Sequence, residues 1–300
     1  MHILVIRPGA IGDVLLTFPV LKALREQYTG THFTLVSNAH VLPLALAFGI
    51  TEEVSDYQAI QWSELFSPAG IHTPALQELL RQTDLAICWL RDPDGLIEYN
   101  LKTAGIKCLI ITPGRPPEGA RVHIVAYLAQ TAGLSIAEAQ WAAPSLDTNA
   151  GARGDYVAVH PGSGGAQKCW PLSCFATVME LLWQQNRPVL LLAGPADAER
   201  LRDLMSLLAA PPRPEMLRLL ISAPLLEVAQ HLQQCRCYLG NDSGITHLAA
   251  MLGVPTVAIF GPSDPAVWRP VGPCVKVIHQ DVLEHVPVDA VMGANTLPFP

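Results

Sequence analysis

No stretch of this sequence is long and apolar enough to cross a bilayer. A spanning helix needs about 20 largely apolar residues, and the longest apolar run, Leu248 to Gly261, is broken by Gly253 and Pro255. Positive charge is scarce as well. Lys and Arg number 19 against 26 Asp and Glu, a formal charge of −7, and neither half of the chain is net basic. A protein held to nucleic acid by a basic face is therefore not expected. Cys-x-x-Cys pairs are missing: Cys235 and Cys237 form only C-x-C, so no structural zinc and no metal site is anticipated. Seven cysteines without regular spacing suit reduced thiols better than a disulfide framework. Arg7 and Asp13 interrupt the N-terminal apolar stretch where a secretion signal needs it unbroken. A cytoplasmic protein is expected, with room for peripheral contact at the inner membrane surface.

Two nucleotide fingerprints are also absent. The first strand is not followed by G-x-G-x-x-G, and the second ends in Val36, Ser37 and Asn38 without the acidic ribose ligand of a dinucleotide fold. No G-K-[ST] occurs, which excludes a P-loop.

What the chain does have is core. Half of its 300 residues are hydrophobic and only 15% are charged, enough for one large or two medium domains. Short apolar runs alternate with amphipathic ones. In the first half, strands are expected at His2–Ile6, Phe33–Val36 and Leu85–Leu90, and helices at Asp13–Gln27, Val41–Phe48 and Val122–Ala132. Residues Trp141–Asp155 lack periodicity and read as a linker. The second half repeats the alternation, with strands at Tyr156–His160, Val189–Ala193, Leu217–Ile221, Arg236–Leu239 and Thr256–Phe260. Between them fall helices at Phe175–Gln185, Ala196–Leu208, Leu225–Gln234 and Ile245–Leu252. The expected fold is α/β: two Rossmann-like domains with parallel sheets, residues 1–145 and 150–300, facing across a cleft, with a C-terminal tail able to return to the first.

Ligands of such sheets bind beyond the carboxyl ends of strands, and three loops there stand out. Arg7-Pro-Gly-Ala-Ile-Gly12-Asp13 follows the first strand; its glycines permit a sharp turn, and Asp13 suits either a helix N-cap or a catalytic carboxylate. His160-Pro-Gly-Ser163-Gly164-Gly-Ala-Gln-Lys168-Cys-Trp-Pro171 combines free backbone N–H groups with a hydroxyl and a cation, a set suited to phosphate. Gly240-Asn-Asp242-Ser243-Gly244-Ile-Thr246-His247 opens a small-residue helix whose positive end suits a diphosphate, although Asp242 or Ser243 serves equally well as a cap. In Gly194-Pro-Ala-Asp197-Ala-Glu199 either acid can cap a helix or bind a ribose hydroxyl. Arg91, Asp92 and Asp94 read as a solvated turn, and His72, His123, His231 and His285 as structural or surface residues.

Taken in order, these stretches resemble glycosyltransferase family 9, the ADP-heptose:lipopolysaccharide heptosyltransferases. The resemblance rests on Ile6-Arg-Pro-Gly-Ala-Ile-Gly-Asp13-Val-Leu-Leu-Thr-Phe-Pro19, the His160–Pro171 and Gly240–Ala250 segments, and Leu252-Gly-Val-Pro-Thr-Val-Ala-Ile-Phe-Gly-Pro-Ser263. It implies a GT-B fold, inverting chemistry without a catalytic metal or cofactor, and a sugar nucleotide and a glycolipid acceptor as partners. It further implies that Asp13 is the general base and that Lys168 lies near the donor phosphates. Gly12, Ser163, Gly164, Asp242, Ser243, Gly244, Thr246 and His247 would line the donor, with Asp197 or Glu199 at the ribose. Arg7, Arg91 and Arg121 are the acceptor-side candidates; Lys102 and Arg115 are the other cations near loop ends. An epimerase or hydrolase of the same fold, and a non-catalytic sugar-nucleotide-binding protein, are the competing readings. The pairing of Asp13 with Lys168 speaks against the last, because binding alone needs no such carboxylate.

Overall fold

The computed structural model describes residues 1–141 and 153–295. The chain divides into two compact units, Met1–Asp147 and Thr148–Pro300. The division, and all but the ends of the expected linker, lie outside the described residues.

The first unit runs β1 (His2–Arg7), α1 (Ile11–Leu15), α2 (Phe18–Gln27), β2 (His32–Ser37), α3 (Leu42–Ala47), β3 (Glu53–Asp56), α4 (Pro74–Gln82), β4 (Leu85–Cys88), α5 (Leu96–Thr103), β5 (Cys108–Ile111) and α6 (Ile124–Thr131). Its sheet has the order β3-β2-β1-β4-β5, parallel throughout. The central strand β1 buries Ile3, Leu4, Val5 and Ile6, which is why it reads as an unbroken apolar run. The single helix expected over Asp13–Gln27 is two. Pro19 lies four residues after Leu15, where its ring opposes that carbonyl and it has no N–H to give. The chain breaks at Leu16–Thr17, and the Thr17 hydroxyl donates back to the Asp13 carbonyl at 3.0 Å.

The second unit runs β6 (Val157–His160), α7 (Leu172–Gln184), β7 (Val189–Ala193), α8 (Ala198–Leu207), β8 (Leu217–Ile221), α9 (Leu225–Gln233), β9 (Cys237–Asn241), α10 (Gly244–Met251), β10 (Thr256–Phe260), α11 (Pro265–Trp268), β11 (Val275–His279) and α12 (Val288–Asn295). The sheet order is β11-β10-β9-β6-β7-β8, again all parallel. Val157, Val159, Phe175, Met179, Leu191, Leu239, Val257 and Ile259 form its core, joined by Val291 and Ala294 of α12. The last described helix thus belongs to the second unit. The tail expected to return to the first domain lies beyond residue 295, outside the described residues.

Each sheet reverses strand order beside its first strand, between β1 and β4 and between β6 and β9. Such switch points open a crevice at the strands' carboxyl ends. Among the described residues no helix is long and apolar enough to cross a membrane. The cysteines are free thiols, and burial pushes Cys88 and Cys235 up to about 12 and Cys237 up to about 11.

Candidate active site

At the switch point of the first unit, Gly9 turns the chain after β1 at φ 152°, a left-handed conformation that favours glycine. A Cβ there would also lie 3.0 Å from that of Asp13. Asp13 is in the first turn of α1 but is not its N-cap; Ala10 holds that position. The Asp13 carboxylate is buried and reaches back, Oδ2 accepting the Ala10 N–H at 3.3 Å. The same oxygen takes a 2.9 Å hydrogen bond from Arg115 Nη2. Oδ1 has no partner among the described residues. The cap reading and the reactive-carboxylate reading are therefore both partly right, each using a different oxygen.

Arg7, expected on the acceptor side, is buried beneath this turn. Its guanidinium touches Thr17 Oγ1 at 3.3 Å and the carbonyls of Asp13 and Pro8 at 3.4 Å. Burial lowers its pKa, opposed by the charge of Asp13. Arg7 is a support for the turn rather than a ligand-facing residue, a correction that follows from its position as the last residue of a central strand. Arg91 and Arg121 are exposed, on the loops after β4 and before α6, and neither pairs with Asp13. Asp92 accepts the N–H groups of Ile97 and Glu98, holding the start of α5 as a capping residue does.

In the second unit the His160–Pro171 loop and the Asp242–His247 turn come together. Ser163 Oγ donates to the Asp242 carbonyl at 2.6 Å, and Lys168 Nζ meets Asp242 Oδ2 at 2.7 Å. His247 Nε2 lies 3.8 Å from the other carboxylate oxygen. Burial alone would raise the pKa of Asp242, but the imidazole and the ammonium outweigh it and hold the carboxyl well below the usual range. His247 Nδ1 is buried without a hydrogen-bond partner. Ser243 is the cap of α10, accepting the Thr246 N–H, which releases Asp242 from that role. The backbone N–H groups of Gly244 and Ile245 then have no intrahelical acceptor, as in any first helical turn. Gly164 is open to solvent.

Two expected donor contacts are framework instead. Thr246 is fully buried, and its hydroxyl is shared among Tyr238, Ser243 and the Asn241 carbonyl. Asp197 is buried as well. Its Oδ2 accepts the Gly194 N–H at 2.7 Å and meets His160 Nε2 at 3.1 Å, while His160 Nδ1 faces Ser243 Oγ at 3.3 Å. This relay ties the ends of β6 and β7 to the start of α10. Glu199 is exposed, so of the two acids it is the one open to a ligand. Sequence reasoning gave no role to His160, Arg115 or Arg200, whose guanidinium clamps the carbonyls of Pro161 and Trp170 at 3.2 and 3.1 Å. For Arg115 the missing signal was β5: without that strand, Gly114-Arg115 does not register as a strand-end loop. Among the described residues no three His, Cys, Asp or Glu side chains gather as a metal site.

Two parallel, doubly wound sheets with loops converging at both switch points define a two-domain transferase-type α/β architecture, and solved structures share it. That of "E. coli ADP-heptose lps heptosyltransferase II" superposes with a TM-score of 0.79 at 19% identity, covering 98% of this chain and 97% of that one. "E. coli heptosyltransferase WaaC with ADP" gives 0.71 at 20% identity and 98% of both chains. In sequence, lipopolysaccharide heptosyltransferase 3 of Escherichia coli is 27% identical over 122 residues, 41% of this chain but only 36% of that protein's length. Lipooligosaccharide heptosyltransferase 2 of Campylobacter jejuni is 22% identical over 297 residues, 94% of this chain and 89% of that one. The model of glycosyltransferase family 9 (heptosyltransferase) matches residues 126–288. The chain belongs to that family.

Proposed function

We propose that the protein transfers a sugar, heptose, from ADP-heptose to a lipopolysaccharide-core-type glycolipid acceptor, with inversion and without a catalytic metal. The observation that carries this reading is Asp13: a buried carboxylate at a strand end, anchored through Oδ2 and open at Oδ1. Oδ1 takes the proton of the acceptor hydroxyl as that oxygen bonds to the anomeric carbon. The bond from that carbon to the diphosphate breaks, and its electron pair leaves on the β-phosphate oxygen of ADP. General-base assistance of this kind is worth about 10²–10⁴-fold.

The leaving diphosphate gains negative charge. Lys168 and the N-terminus of α10 supply the matching positive charge, preorganised rather than recruited from water. Asp242 holds Lys168 in place until the donor's phosphates compete for the ammonium. Glu199 serves the ribose. Names of relatives support the donor, since one solved structure was obtained with ADP and another with ADP-2-deoxy-2-fluoro heptose. Acceptor-side work takes place at the inner face of the cytoplasmic membrane by peripheral contact.

The test is a panel of ADP-, GDP-, UDP- and CDP-sugars scored by thermal stabilisation, followed by transfer assays with core acceptors and the preferred donor. ADP-heptose should stabilise most and be consumed only when acceptor is present. Preference for another nucleotide, or sugar loss without acceptor, would overturn the reading. Activity that vanishes with a chelator would overturn its metal-independent part.

A further inference from the structure

Asp13 is not alone at its switch point. Arg115 Nη2 meets Oδ2 at 2.9 Å, and that arginine side chain is 63% exposed while the aspartate's is 10% exposed. The arginine emerges from the loop after β5 at a fixed place, because Gly114 lies directly on the buried Arg7 guanidinium. A Cβ at position 114 would fall 2.2 Å from Arg7 Nη1 and 2.9 Å from the Trp89 carbonyl. One carboxylate is thus set between a buried and an exposed guanidinium. Among the groups that act electrostatically on Arg7, Asp13 is the only carboxylate; the others are Arg115 and Tyr127.

That arrangement is at odds with a base at work. A guanidinium in contact favours the ionised carboxylate and opposes its protonation. Once Asp13 takes a proton, the buried Arg7 loses the anion that balances it, and Arg115 loses its partner at the same site. The conflict is removed if a second anion arrives with the molecule that gives up the proton. Arg115 can reach for it, since it is exposed and its bond to Asp13 runs through Nη2 alone. A two-pronged pairing with a carboxylate or phosphate is stronger than that single contact.

We propose that Arg115 selects the acceptor: it holds Asp13 idle in the free protein and passes to an anionic group that the acceptor carries near its reacting hydroxyl, leaving Asp13 to take the proton. The proposal rests on the reading of Asp13 as general base. It makes charge on the acceptor a condition for proton transfer as well as for binding.

The test uses the full chain, ADP-heptose, and one lipopolysaccharide-core acceptor in three forms: native, with its carboxylates methyl-esterified, and dephosphorylated. Wild type should lose about tenfold or more in kcat/KM on one of the two neutralised forms, as removal of a charge-assisted hydrogen bond does; which form identifies the anion. Arg115→Gln should fall to that lower value on the native acceptor and no longer distinguish the forms, and Arg115→Lys should recover part of the difference. Equal use of all three forms by wild type, or undiminished discrimination by Arg115→Gln, would overturn the proposal. The transferase reading fails separately, if wild type shows no acceptor-dependent ADP release with any form. Calorimetric binding of the three forms to wild type and Arg115→Gln then decides the role of Arg115: discrimination lost in the variant supports it, and discrimination unchanged or absent in wild type overturns it.

Discussion

Lys168 and Asp242 form the pair on which the donor side turns. The ammonium is partly exposed and the carboxylate buried, so the lysine is the partner able to engage a ligand. Lys168→Ala should weaken ADP affinity and turnover by about 10–100-fold, the loss of a hydrogen bond to a charged group. Isothermal titration beside steady-state rates measures both, and unchanged values in both would remove Lys168 from the site. Asp242→Asn tests the other half. An amide keeps a hydrogen-bond acceptor for Lys168 but cancels the attraction, so ADP should bind at least as tightly while the lysine is less well placed for turnover. At this scale the sequence was legible where chemistry and position coincide. Asp13, Ser163, Lys168, Asp242 and His247 all sit at strand ends, and the structure gathers the last four around one carboxylate. It was not legible where one residue type serves two purposes. Asp197 and Glu199 are two positions apart, and only burial separates the acid spent on His160 from the one left open.

Elements with fully buried strands were read from the chain almost to the residue, as for Val189–Ala193, Leu217–Ile221 and Thr256–Phe260. The edge strands β3, β5 and β11 were not, because a strand covered on one side needs no apolar run, and Glu53-Val-Ser-Asp56 has none. The helices α4 and α5 went unread with them, so the switch point of the first unit was seen only from the β1 side. Between elements, the fit of loop to strand end makes its own demand. A Cβ at Gly162 would fall 2.0 Å from Asp197 Oδ1, so Gly162→Ala should push Asp197 off His160. The cost should be about 1–3 kcal/mol, typical of overpacking, with weaker ADP binding because the relay also orients the start of α10. Denaturant melts and ADP titration of the variant check this; wild-type values for both would show the loop to be independent of the relay.

For the molecule as a whole, the buried carboxylates set the acid limit of stability. Asp197 and Asp242 both have folded pKa values below their ordinary ones; burial works against this, and His160 for the first and His247 with Lys168 for the second outweigh it. A depressed carboxylate contributes stability above its unfolded value, about 3.9, and the contribution is lost as pH falls through the folded value. Calorimetric melting should therefore show stability falling below about pH 4, less steeply in Asp242→Asn, which has one such group fewer. On the ligand side, ADP at 100 times its Kd should add about 2.7 kcal/mol.

The account stands or falls on Asp13 as a base. An asparagine there keeps an oxygen for the Ala10 N–H, so the turn, the fold and ADP binding should survive, but an amide cannot take a proton. The decisive measurement is acceptor-dependent ADP release from ADP-heptose, at saturating donor and acceptor, for wild type and Asp13→Asn. The account predicts release by wild type and a loss of roughly two orders of magnitude or more in the variant, with the melting temperature unchanged. Turnover near the wild-type rate in Asp13→Asn would contradict it.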